Sequence, residues 1–265
     1  MELPNLGFNK EYGKKSTKRD GSNVRYMDSS TLLRPFNLPW ALRGIVAVFV
    51  IAAAVIGVLL FRYVYDTIVL APQRELESTQ QNLDKVVSLD LPVLTGLIQL
   101  DDDTINSTLN ANSYTLLDWN SLGTGSGTNI DLIKLPDGVT IIDAGIDYSN
   151  GISSLSSSEA ARLLNGSWEF TVVRGNSIDM RVKYADFTSG TLDAAIQNAI
   201  DQQGLSGTPL GEAGVDAAGN SYQTGSVNVN GTAYNWQVSA CVLTDAYSVS
   251  GLPADAMYVG IRLYL

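Results

Sequence analysis

Histidine is absent from the 265 residues, and cysteine occurs once, at Cys241. The first absence removes Ser-His-Asp triads, Cys-His dyads, His-ligated zinc and the HExxH arrangement. A lone cysteine excludes an internal disulfide, a CxxC redox pair and a thiolate metal cage. It also points to an envelope that does without disulfides. Charge is sparse as well, at 17% of residues, and it is unevenly placed. Residues 1–43 hold eight Lys/Arg against four acids, a net of +4. The remaining 222 residues hold nine basic and 23 acidic groups, a net of −14. An acidic main domain argues against a nucleic-acid partner, since phosphate binding needs the opposite sign.

What the chain does have is one long apolar run. Gly44 to Phe61, GIVAVFVIAAAVIGVLLF, carries no charge over 18 residues. At about 1.5 Å per residue it spans roughly 27 Å, close to the thickness of a hydrocarbon core. Arg43 and Arg62 bracket it, and Trp40, Tyr63 and Tyr65 stand where interfacial aromatics belong. A buried core helix of this length would keep a polar stripe. The basic flank is N-terminal, which puts residues 1–40 in the cytoplasm and the main domain outside. A flank of 43 residues is too long for a cleaved signal peptide, so the run reads as a signal anchor over 41–63.

Four segments follow from this: a basic cytoplasmic tail (1–40), the membrane helix (41–63), a helical stalk (64–91) and an extracytoplasmic domain (97–265). In the stalk, Val69, Leu76 and Leu83 recur every seven residues, with Thr79 and Val86 at the intervening heptad positions three residues after Leu76 and Leu83, a short seam for self-association. Pro72 kinks or restarts that helix. The outer domain reads as α+β, with two β-hairpins, two short helices and a strand–helix–strand–strand–helix–strand string matching a split βαβ core. Val139–Asp147 is expected to be a strand after the Pro136-Asp137-Gly138 turn. Ser156 and Glu159 form a capping box. Thr191 caps a helix whose apolar face is Leu192, Ala195, Ile196, Ala199 and Ile200, with Gly204 closing it.

Two hairpins are expected. In the first, a three-residue loop Arg174-Gly175-Asn176 pairs Val172 with Ile178, Phe170 with Met180 and Trp168 with Val182, leaving Glu169 opposite Arg181. In the second, an Asn230-Gly231 turn pairs Val229 with Thr232, Val227 with Tyr234 and Gly225 with Trp236. A strand from Met257 to Leu265 closes the chain.

Candidate chemistry is thin. Asp101-Asp102-Asp103 lacks calcium-loop spacing, and Asp103 is expected to cap the next helix. Asp143 and Asp147, on one face of a strand, would stand about 13 Å apart, too far for a glycosidase pair. Cys241 has no cationic neighbour in sequence to activate it. Asn106, Asn165 and Asn230 begin N-x-[ST] triplets. No catalytic, metal or cofactor motif is present. The stretch Leu205–Ser221 reads as a long glycine-rich loop, and Gly207, Gly211, Glu212, Gly214, Asp216 and Gly219 are the candidate binding residues.

The layout of membrane helix, stalk and strand-rich head is similar to that of type IV pilins. A cut after Gly44, however, would leave Phe49 where those proteins carry Glu. The function expected is a membrane-anchored, non-catalytic module that binds an envelope polymer or a membrane protein partner. The alternatives are a signalling adaptor with a sensing ectodomain and a pilin-like assembly subunit.

Overall fold

The computed structural model describes residues 40–85, 87–122 and 128–265. The basic cluster at 10–19 and Val86 lie outside the described residues. The chain divides into two compact units, 1–61 and 62–265. Helix α1 (Trp40–Tyr65) begins in the first and ends at the start of the second, and its apolar window is wholly unburied. Among the described residues this is the one helix long and apolar enough to cross a membrane.

A π turn (Asp66–Leu70) and α2 (Ala71–Leu83) follow directly. Pro72 explains the π turn. Its ring clashes with the carbonyl one helical turn earlier and it has no N–H to bond there. The ladder widens by one residue just before it, so that the Ala71 N–H reaches Asp66 O. α2 is a docked element rather than a free stalk. Thr79 is buried and bonds the Ser157 hydroxyl at 3.0 Å, and Glu75 accepts from the Ser158 N–H at 2.7 Å. Of the seam residues, Leu83 packs into the head while Leu76 stays exposed.

The head is built on one eight-stranded antiparallel sheet: β1 (Leu116–Asp118), β2 (Ile130–Lys134), β3 (Trp168–Arg174), β4 (Ile178–Asp186), β5 (Leu210–Val215), β6 (Ser221–Val229), β7 (Thr232–Val242) and β8 (Met257–Tyr264). Their spatial order is β1-β2-β3-β4-β8-β7-β6-β5. The chain builds one meander to β4, crosses to the far edge, and returns strand by strand until β8 lies beside β4. Helices α3 (Leu94–Leu97), α4 (Asp102–Ala111), α5 (Ile141–Asn150), α6 (Ser157–Leu164), α7 (Leu192–Gln202) and α8 (Leu243–Ala246) complete the head. α7 is the crossover, lying against β6, β7 and β8.

Two cores form on opposite faces of the sheet. The larger takes Trp168, Phe170, Val172, Met180, Val182, Trp236, Val238, Val259 and Ile261 with the buried faces of α3, α4 and α7. The smaller covers one end of the other face. There Ile133, Ala185 and Tyr258 meet α5, α6 and α8. Strand β2 lies where both covers overlap, and all five of its residues are buried.

Several expectations hold. The capping box at Ser156 and Glu159 is formed. α7 starts at Thr191 and ends with Gly204 at φ +66°, the Leu205 N–H reaching Ile200 O. The Asn230-Gly231 hairpin has the expected register, with φ +47° and +90° at the turn.

Others do not. Residues 141–150 are helix, because the Thr140 side chain accepts from the Asp143 N–H and fixes a helix start that the β-branched VTII run masks. Only Ala144 of that helix is buried; Ile141, Ile142 and Ile146 are exposed. The string expected of a split βαβ core therefore loses its first strand, and every neighbouring pair in the sheet is antiparallel. In the first hairpin the loop is Gly175-Asn176-Ser177, which pairs Arg174 with Ile178, Val172 with Met180 and Trp168 with Tyr184. Both registers put the same apolar faces inward, so phase alone does not separate them. Arg174 decides it, held in the strand by its bonds to Asp102 and Leu100 O.

Candidate functional site

The uncovered part of the sheet's second face carries the candidate site. Strand alternation sends one residue in two to this side, and the registers of β4, β8 and β7 stack them in rows. Asp179, Tyr264 and Asn235 form one row; Arg181, Arg262 and Gln237 the next; then Lys183, Gly260 and Ser239. β6 extends these rows with Ser226, Thr224 and Tyr222. Every one of these side chains except that of Gly260 carries a hydrogen-bonding group.

Gly260 leaves a dip in the central strand, with Lys183 and Ser239 directly opposite it on either side. Two depressions meet there. One, of about 490 Å³, runs past Cys241, Tyr258 and Asp245 to Gly219 and Asn220. The other, of about 200 Å³, runs past Arg181, Gln237 and Arg262.

The charges are arranged around Asp179. Arg181 bonds it through Nε at 3.0 Å and Nη2 at 2.7 Å, and Arg262 through Nε at 3.0 Å and Nη2 at 2.6 Å. Burial alone would push the Asp179 carboxyl up. The two arginines outweigh it and hold the group below the usual aspartate range. Arg262 also stacks on the Tyr264 ring at 4.3 Å. Lys183 faces Glu169 at 3.5 Å, where the sequence had put Arg181.

The remaining candidates sort differently. Cys241 faces this groove, and burial followed by the charges of Asp245 and Asp216 pushes its thiol up, so it is a protonated thiol and not an activated nucleophile. The Tyr247 and Tyr258 hydroxyls meet at 3.3 Å at the groove's covered end. The Asp triplet is used locally. Asp101, not Asp103, is the N-cap, because its carboxylate accepts the Thr104 N–H, and Asp102 pairs with Arg174 at 2.7 Å. Asp143 lies in the first turn of α5, and Asp147, one turn on, pairs with Arg162 at 3.2 Å. Among the described residues no group of three or more Asp, Glu or Cys is placed to hold a metal ion.

The glycine-rich stretch is not a long loop. Residues 210–215 form the edge strand β5, paired to β6 with a bulge. Its glycines hide the strand period, and Asp216 folds the chain back by accepting the Ala218 and Asn220 N–H groups, both at 2.9 Å. Gly207 and Gly219 take positive φ at turns. Of the six candidates, Gly219 borders the groove, Gly211 and Glu212 border a further depression with Thr224 and Tyr264, and Gly214 lies opposite Tyr222 of β6, against its ring.

Sequence reasoning missed Asp179, Arg181, Lys183, Gly260 and Arg262 as a group. A signal existed: the 78 residues between Lys183 and Arg262 contain no Lys or Arg. No protein-family model matches the chain, and neither a curated protein nor a solved structure matches it.

Proposed function

We propose that this chain is a single-pass membrane protein with its N-terminus in the cytoplasm. Its head stands outside as a non-catalytic module that binds an envelope polymer or a partner protein. The observation that carries the reading is the open, polar sheet face. An antiparallel sheet packs one face on its core and can leave the other to solvent. Here only one end is covered, and the rest is set with hydroxyl, amide and charged side chains in register around the Gly260 dip. Such a face suits an extended, hydroxyl-rich or charged ligand laid across strands. The absence of histidine and the protonated state of Cys241 favour binding over catalysis.

Ser239→Phe tests it. A phenyl ring at this half-exposed position fills the dip while leaving the buried face untouched. Full-length protein in nanodiscs should co-sediment with insoluble cell-wall polymer, and the variant should lose that retention at an unchanged melting temperature. Equal retention would show that this face is not the binding surface.

A further inference from the structure

We infer that Arg181, Arg262 and Lys183 form a site for an oxyanion, a carboxylate or phosphate group carried on the ligand of the open face. This rests on the binding reading above and specifies its chemistry. Residues 84–265 hold twenty Asp/Glu and only seven Lys/Arg. Three of those seven converge on adjacent positions of β4 and β8. Arg181 and Arg262 stand directly opposite each other, an arrangement that repels across strands unless an anion lies between them.

Asp179 supplies one carboxylate for two guanidinium groups. With Lys183 set against Glu169 at 3.5 Å, the cluster keeps one uncompensated positive charge. Both arginines spend Nε and one Nη2 hydrogen on Asp179. The Nη1 edge of each carries no hydrogen bond among the described residues, and that edge is the fork that grips a second oxyanion in a bidentate manner. The depression of about 200 Å³ lies against both guanidinium groups, with Gly260 as floor, Gln237 as a further donor and the Ser239 hydroxyl, which donates to Gly260 O at 3.5 Å, at its edge. Asp245 sits at the opposite end, in the larger depression. An acidic ligand is thereby drawn to one end of the groove.

The probes are polygalacturonate, poly(glycerol phosphate) and neutral dextran, titrated against full-length protein in phosphatidylcholine nanodiscs. Polygalacturonate should bind if a carboxylate is the preferred group, and poly(glycerol phosphate) if a phosphate is. Either should weaken with added salt, since half-exposed charges are screened. Arg262→Gln should lower the affinity of the bound polyanion about ten-fold, the loss of one charge-assisted fork. Asp179→Asn keeps an acceptor between the arginines but removes the competing charge, so it should raise affinity several-fold. Thermal melts establish that both variants are folded. Dextran binding as tightly as the polyanions, no binding of any probe, or folded variants with wild-type affinity would each overturn the assignment. Equal binding of all three probes that Ser239→Phe abolishes would refute the anion site and leave the binding face standing. Binding untouched by Ser239→Phe would refute both.

Discussion

Replacing Gly225 with alanine tests how the far half of the sheet is held together. Gly225 lies opposite Trp236, whose indole is fully buried in the larger core and donates from Nε1 to Thr208 Oγ1 at 3.1 Å. A Cβ at Gly225 would stand 2.2 and 2.4 Å from Trp236 Cζ2 and Cε2, and 2.6 Å from the Pro209 carbonyl oxygen. Carbon atoms rest at about 3.5–4.0 Å, so the indole would have to retreat by more than an ångström into a core packed at crystal density. Overpacking of this kind costs about 3 kcal/mol. For a domain of this size each kcal/mol shifts the melting temperature by roughly 2–4 °C, so a fall of about 6–12 °C is expected. Gly175→Ala is the control, since a Cβ there meets nothing within 4 Å, and it should change stability by less than about 0.5 kcal/mol. Circular-dichroism melts of the two variants and the wild type decide the matter. A Gly225→Ala protein melting with the control would refute the packing account of β6 against β7.

Two further outcomes follow from the structure. Burial would raise the Asp186 carboxyl, but bonds from Ser189 and Thr188 outweigh it and hold the group low. Its contribution is therefore present above the unfolded value of about 3.9 and is lost as pH falls through the lower folded value. In melts taken from pH 7 down to about pH 2.5, the wild type should lose its advantage over Asp186→Asn; a constant gap would contradict this. Leu83→Ala should cost about 1–2 kcal/mol by opening the smaller core, and Leu76→Ala less than about 0.5 kcal/mol, measured by chemical denaturation. Equal effects would restore the stalk seam that the structure divides.

Local signals carried much of the fold. The capping box of α6, the cap and left-handed close of α7, and the Asn-Gly hairpin each depend on residues within a few positions, so the sequence alone places them. Failures occurred where distant pairing decides. β2 is covered on both faces and shows no alternation to read, and β5 is strand because β6 offers a ladder, despite two glycines. In α5 a single threonine cap overrides β-branched residues that favour a strand. The charged cluster on the open sheet face was hidden for the same reason. Arg181 and Lys183 look like ordinary solvent-side residues of a hairpin, and Arg262 lies 79 positions beyond Lys183 in the sequence. Only the β4–β8 pairing brings them together around Asp179, and that pairing follows from the crossover through α7.

Membrane topology is tested most directly by cysteine labelling in a Cys241→Ser background. Ser16→Cys samples the tail, and Ala217→Cys the exposed turn between β5 and β6. On intact cells expressing the protein, a membrane-impermeant maleimide should label Ala217→Cys. Ser16→Cys should react only after permeabilisation. Labelling of Ser16→Cys on intact cells with Ala217→Cys protected would place the open sheet face inside the cell and contradict the proposed function.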